Sequence, residues 1–269
     1  MMRFFLIIIF FQISFKSFAQ ELFVFTEPAS NMPAKSIGIR LMNSFMGNDD
    51  NTINYHVMPE VMVGVNKKLM LHGQAFLSNR NNGLIGEGGS FYAKYRWLTI
   101  ENVHRHFRMA SFGRYSFNNS DIHQEEIETV GHNTGYEVGM IATQLIHKYA
   151  YSSTISFEQA QNNTVINKFP SNQSNQAINY TFSLGKLLLP KEYTNYNQTN
   201  LNFMIELLGQ KLIANGKSYL DIAPSLQFIF NSVARLDIAY RQQIYSNMLR
   251  TAPNGVLIKF EYNFFNVLK

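Results

Sequence analysis

The sequence predicts an all-β protein, a transmembrane antiparallel up-and-down β-barrel of about twelve strands. Three observations predict it. Segments in which apolar and polar residues alternate recur along most of the chain, so that one face of each strand is oily and the other polar. The chain opens on a pattern of export. Its composition, with 14% aromatic residues (23 Phe and 14 Tyr) and only 15% charged ones, is unusual for a soluble exported domain.

The opening residues set the compartment. Arg3 forms a short positive region, Phe4 to Phe11 is an unbroken apolar run, and Ser17-Phe18-Ala19 before Gln20 has the small-x-small form of a cleavage site. Residues 1–19 are therefore expected to be a cleaved signal peptide, because the run falls short of the roughly 18 to 20 apolar residues a spanning helix needs. With no cysteine in the chain, there is no disulfide framework and no site for a lipid anchor. Residues 20–35 hold Glu27-Pro28-Ala29-Ser30-Asn31-Met32-Pro33-Ala34, and two prolines among small polar residues disfavour a central strand. This segment reads either as a periplasmic lead-in or as a small plug in the lumen. Residues 36–269 form the barrel domain.

Twelve segments carry the two-residue period: 36–46, 53–64, 68–78, 87–99, 106–117, 134–146, 148–160, 175–187, 199–211, 217–229, 233–245 and 255–266. The second and third meet near Asn66, where keeping Val61 and Val63 on one face with Leu69 and Leu71 places Met62 opposite Met70 and Glu60 opposite His72. The fourth sets Phe91, Ala93, Tyr95 and Trp97 against Tyr92, Lys94 and Arg96. The tenth sets Leu220, Ile222, Leu226 and Phe228 against Asp221, Ser225 and Gln227, with Pro224 removing one ladder donor on the apolar side. The eleventh sets Leu236, Ile238 and Tyr240 against Arg235, Asp237 and Arg241. The twelfth sets Ile258, Phe260, Tyr262 and Phe264 against Lys259, Glu261 and Asn263. Each is close to the roughly 9 to 11 residues a tilted strand needs to cross hydrocarbon.

The connections alternate too. Long polar stretches at 78–86, 118–133, 161–174 and 246–254 face tight turns at 64–67, 146–148 and 230–232, as outer loops face periplasmic turns in a bacterial barrel. The stretch 187–198, with Pro190, is the exception and has room for a further strand. These features place the protein in the bacterial outer membrane, with outer-membrane lipid and lipopolysaccharide as its surroundings. Without the leader's Arg3 and Lys16 the net charge drops from +5 to about +3. So weak a bias excludes a nucleic-acid partner of the usual basic kind.

Met204-Ile205-Glu206-Leu207-Leu208-Gly209, Leu220 to Phe228, and Leu236-Asp237-Ile238-Ala239-Tyr240-Arg241 give residues 197–266 a pattern that resembles outer-membrane barrels of the meta-pathway phenol-degradation type. That resemblance implies a channel for small, apolar or aromatic molecules. Asn31-Met32-Pro33-Ala34 is more faintly similar to the Asn-Pro-Ala element of long-chain fatty-acid transporters, with a methionine intervening. One departure stands at the end, where Phe264 and Phe265 are followed by Asn266-Val267-Leu268-Lys269 instead of a terminal aromatic residue.

If the oily face meets lipid, the lumen receives Arg40, Glu60, Lys68, Lys94, Arg96, Arg108, Arg114, Glu137, Glu158, Glu206, Asp221, Arg235, Asp237, Arg241, Lys259 and Glu261. Charges of both signs either pair across a filled interior or line a narrow selective pore. Met42, His56, Met58, Met62, Met70 and His72 share the polar side of the first three strands. Thioether and imidazole are soft ligands suited to Cu(I), and methionine is equally a flexible filler of a lumen wall. In the long third loop Asp121, His123, Glu125, Glu126, Glu128 and His132 read as a solvated acidic patch or a divalent-cation bridge to lipopolysaccharide.

Catalysis has no visible carrier. None of His56, His72, His104, His106, His123, His132 or His147 is followed two residues on by serine, and Gly-x-Ser-x-Gly, Walker A and His-Glu-x-x-His patterns are absent. No cofactor is implied, and nothing offers an energy source. The expected function is passive passage of small molecules, with a non-transporting structural or interaction barrel as the alternative.

Overall fold

The computed structural model describes residues 23–47, 53–79, 83–192, 197–251 and 253–268. The leader expected over residues 1–19 lies outside them. Twelve strands follow one another: β1 (Ser36–Gly47), β2 (Ile53–Gly64), β3 (Leu69–Ser78), β4 (Ile85–Asn102), β5 (Arg105–Asn118), β6 (Gly135–Ile146), β7 (Tyr149–Ala160), β8 (Gln176–Leu189), β9 (Asn200–Leu212), β10 (Ser218–Phe230), β11 (Ala234–Ser246) and β12 (Gly255–Phe264). Each pairs antiparallel with its sequence neighbours, and β1 closes on β12 from Ile37↔Phe264 to Met46↔Gly255. Closure leaves no unpaired sheet edge, which a membrane-spanning sheet requires.

The burial pattern inverts that of a soluble protein. Ile39, Phe91, Ile155, Phe182, Ile238 and Phe260 are exposed on the outer face, while Arg40, Lys94, Glu206, Asp237 and Glu261 are buried inside. Alternation produces both sets at once. Strands of 10 to 18 residues are long enough to cross a hydrocarbon layer when tilted.

Three local features depart from simple alternation. Pro224 pairs with Ile205 of β9, but the β10–β11 pairing stops at Ile222↔Gln242 and resumes at Ser225↔Ala239. The missing donor therefore falls where the ladder is already open. At the β10–β11 turn Asn231 and Ser232 have φ of 50° and 57°, and Val233 N–H returns to Phe230 O at 3.0 Å. This is the primed two-residue geometry whose twist matches a hairpin.

The third is a correction to register. The pairs found are Glu60↔Gln74, Met62↔His72 and Gly64↔Met70, not the expected Glu60 with His72 and Met62 with Met70. The side-chain oxygen of Asn66 accepts the N–H groups of Lys68 and Leu69, at 2.8 and 2.9 Å. That centres the turn one residue later and slides the pairing by two. An even slip keeps every side chain on its face, and the expected neighbours meet diagonally instead. At the chain's end Phe264 closes the ladder against Ile37, and the amides of Val267 and Leu268 both donate to Lys35 O.

The outward face makes a direct prediction. Ile155→Arg, in the middle of β7, is expected to destabilise the barrel in bilayers by about 2–4 kcal/mol, read as a lower urea midpoint for refolding into vesicles. Thr154→Arg, one residue away and facing inward, tests whether face or mere charge sets the effect.

Candidate functional site

Residues 23–35 thread the barrel interior. The segment enters where Lys35 N–H donates to Gly64 O at 2.6 Å. Gly64 is needed there, since a Cβ would stand 2.1 Å from Pro33 O. Farther in, Arg108 donates to Ser30 Oγ (2.8 Å), Ala29 N–H to Thr143 Oγ1 (2.8 Å), Lys94 Nζ to Pro28 O (2.9 Å) and Lys259 Nζ to Val24 O (3.0 Å). These partners stand on β5, β6, β4 and β12, so they surround the segment. Pro28 and Pro33 lack an N–H, which costs nothing in a strap outside any ladder.

Glu206 holds the inner end. Its carboxylate accepts the consecutive N–H groups of Val24 (2.8 Å), Phe25 (3.0 Å) and Thr26 (2.9 Å), and the Thr26 hydroxyl at 2.7 Å. Successive amides converging on one anion carry its charge by dipole alone. Phe23 and Val24 then pack with Ala150, Met204, Ala239 and Leu257, and Met42 lies against that group.

The buried charges are arranged around this strap. Arg40 sits between Glu27 (3.4 Å), Glu60 (2.9 Å) and Glu261 (2.9 Å), while Lys94 reaches Glu27 at 3.0 Å. Arg235 meets Glu261 and Asp237, and Lys259 also meets Asp237. Arg114 pairs with Glu137 at 2.7 Å and Arg241 with Asp221 at 2.6 Å. Lys68 is exposed in the β2–β3 turn, a correction to its expected place in the lumen. The turn takes it beyond the wall. Arg96 is half-buried at the same mouth and donates to Lys67 O, and Arg108 bridges Ser30 and Glu101.

The methionine and histidine set is divided among separate contacts. Met62 and Met70 pack with Met32 of the strap. His72 lies 2.7 Å from Glu60, and His56 faces the His132 ring at 4.8 Å. Glu27, Glu60 and His72 bring ligand atoms within 4.8 Å of one another. Arg40 and Lys94 already pair with those carboxylates, so the donors fit an ion-pair latch better than a metal.

The loop after β5, expected as a solvated acidic patch, folds back into the opposite mouth. Ile127 N–H donates to Gln210 Oε1 at 2.9 Å and Gln210 Nε2 returns to Ile127 O at 2.7 Å. Thr129 N–H donates to Glu158 at 2.7 Å. Ile127 packs with Ala160, Ala177, Leu212, Tyr219 and Met248. Glu126 is paired with Arg250 and Arg241 at 3.0 and 3.4 Å, while Arg250 lies 3.7 Å over the Tyr219 ring. The patch reading fails over its second half, where Glu126 finds Arg241 on β11 and Arg250 in the β11–β12 loop, Glu125 finds Lys217 and Ile127 finds a core, while Asp121 and His123 stay exposed.

Glu27, Gln210, Tyr219 and Arg250 were not singled out from the sequence, and Glu126 was read only as part of the acidic loop patch. Glu27 sits between Thr26 and Pro28, a lone charge in a small, apolar run, and that was a readable signal. Nothing local links Glu126 to Arg250. Between strap and loop remains a cavity of about 310 Å³, bounded by Phe25 and Glu27 below, Glu126 to Val130 above, and Tyr92, Phe112, Arg114, Glu137, Glu158 and Arg241 on the wall. That is at the small end of ligand cavities, which run from roughly 300 to 1,000 Å³.

No family profile matches the chain, and no curated protein sequence does. Among solved structures it is similar to OccAB4 of Acinetobacter baumannii, at 10% identity and a TM-score of 0.38, over 82% of this chain and 56% of that one. OccAB2 of the same organism gives 13% identity, a TM-score of 0.39, and coverage of 84% and 59%. OmpF of Salmonella typhi, solved with daunomycin, gives 10%, 0.34, and coverage of 85% and 96%. The chain thus spans little over half the length of the two Acinetobacter proteins.

Two expectations test the insertions. Glu206→Ala strands three amides, those of Val24 and Thr26 buried and that of Phe25 partly so, a loss of about 3 kcal/mol. Protection of residues 23–26 from hydrogen exchange should fall on the order of 100-fold while the strand amides keep theirs. The second concerns pH. Burial, then the nearby Glu126 charge, raise Glu128 to about 7. For Glu126 burial acts upward too, but Arg241 and Arg250 outweigh it and hold the carboxyl below its ordinary value. A raised carboxyl binds protons in the folded state, so loop closure weakens as pH climbs from 4.5 through 7. A lowered one stabilises above its ordinary range and is lost in acid. Protection factors for residues 125–133 should therefore peak in mildly acidic buffer and fall by pH 8. Partial exposure of Glu128 limits the upper limb to about 1 kcal/mol, and Glu128→Gln should abolish it.

Proposed function

We propose that the protein is an outer-membrane conduit for small molecules, with the short-turn end in the periplasm and lipopolysaccharide around its long-loop end. One observation carries this reading. The lumen is not packed solid but closed by two separate insertions with a solute-sized cavity of mixed polar and apolar lining between them. Each insertion is held by hydrogen bonds and ion pairs beside small, separate apolar clusters, and the polar contacts can exchange for water one at a time. Passage is by diffusion once an insertion yields. The preference for apolar or aromatic molecules is the part implied by the resemblance to phenol-degradation barrels, and Phe25, Tyr92 and Phe112 on the cavity wall are the groups that would serve it.

A second reading, a non-transporting barrel with a permanently filled lumen, is favoured by the density of buried ion pairs around Arg40. Removing one partner of such a pair costs about 3–5 kcal/mol, so the strap could be a fixed part of the wall. Planar-bilayer recording separates the two. The conduit should show rare brief openings in the full mature chain, and at least ten times more frequent ones in Glu206→Ala/Glu27→Gln. A barrel that stays silent in both, while correctly folded by heat-modifiable migration, is a structural one.

A further inference from the structure

We propose that the cavity between strap and loop is a binding site for a small organic cation, an amine with a compact apolar or aromatic body, whose ammonium group is held by Glu158. The inference deepens the conduit reading by naming the class of solute, and rests on that reading only for its biological use.

The argument begins with how the interior charges are matched. Around the strap, Arg40, Lys94, Arg235 and Lys259 stand among Glu27, Glu60, Asp237 and Glu261. Under the loop, Arg241 and Arg250 stand against Asp221 and Glu126. Among the described residues Glu206 has no cation in ion-pair contact, but it is saturated by strap amides. Glu158 is different. It lies directly across the ladder from Glu137, and the single guanidinium there, Arg114, pairs with Glu137. The donors to Glu158 are neutral: Thr129 N–H at 2.7 Å, Asn179 Nδ2 at 2.8 Å and Gln210 Nε2 at 3.4 Å. Among the described residues no cation stands within ion-pair distance of this 3% exposed carboxylate.

Two carboxylates facing each other across one guanidinium leave one of them either protonated or unmatched in an interior of low dielectric, and an ammonium group placed there favours its charged form. Glu158 lies on the cavity wall, as do Glu137 and Glu128. So do Thr154 and Thr181, whose side-chain hydroxyls are closed off from solvent and have no hydrogen-bond partner. Thr154 and Thr181 are partners across β7 and β8, which places two orphaned hydroxyls side by side. Buried polar groups are rarely left unsatisfied. An ammonium group has three donors and no acceptor, which suits a carboxylate with hydroxyl oxygens nearby. Tyr92 and Phe112, with ring centroids 5.5 Å apart, form the apolar part of the same wall.

Titration calorimetry on the full mature protein in detergent tests this, with phenethylamine as probe and phenethyl alcohol as its neutral counterpart. The amine should bind one to one, the alcohol at least tenfold more weakly. Glu158→Gln should weaken amine binding at least tenfold, and Thr154→Val by a smaller factor. Glu192→Gln, at an exposed carboxylate remote from the cavity, should change nothing. Equal binding of amine and alcohol, no binding of the amine, or amine binding unaltered by Glu158→Gln overturns the proposal. If Glu158→Gln fails to fold, Thr154→Val and Thr181→Val decide, and unchanged affinity in both overturns it. Binding is read apart from flux, so a protein that binds the amine yet stays silent in bilayers defeats the conduit reading and leaves the site intact. One that conducts without binding does the reverse.

Discussion

Alternation in a closed sheet sends every second side chain to an interior that bulk water reaches poorly, and this constraint governs the molecule. A soluble sheet can turn its polar face to solvent. This barrel cannot, because lipid takes the outer face and the polar residues have only one another. Charges such as Arg40, Lys94, Asp237 and Glu261, nearly or fully buried, are tolerable only where matched, since an unmatched charge in a dry interior costs several kcal/mol.

The two insertions are consequences of that requirement. The strap brings Glu27 to Arg40 and Lys94, and it lends Glu206 three amide donors in place of water. The loop brings Glu126 to Arg241 and Arg250. Each completes a set of charges that the strands alone leave uneven. The same segments that close the lumen therefore also stabilise its wall. The cavity survives between them because strap and loop enter from opposite mouths and stop at different positions along the wall, the strap at Glu206 and Lys259 and the loop at Glu158, Gln210 and Arg241.

How much of this could be read from the chain depends on the range of each interaction. Strand positions and faces were legible from two-residue periodicity, as Phe91, Tyr95 and Trp97 against Lys94 illustrate. So were the tight turns and the neighbour-to-neighbour order. The β2–β3 register was misread because a single side-chain oxygen, on Asn66, moved the turn by one residue. The place of Glu128 and His132 was misread because loop composition looks the same whether a loop faces solvent or folds inward. Glu126 meets Arg250 across more than a hundred residues of chain, and no local pattern encodes that meeting.

The sequence by itself determined the wall: a β-barrel with an oily outside, a charged inside, twelve strands and alternating connections. Its reason is local, since side-chain direction along a strand depends only on parity. The tertiary structure decided what occupies the inside. Which carboxylate meets which guanidinium, and which is left with neutral donors, follows from ring closure bringing strands distant in the chain around the strap and the loop. Glu158 shows the difference. Its inward direction was readable from its position, but that its hydrogen-bond donors are neutral emerged only once Arg114 had been drawn to Glu137.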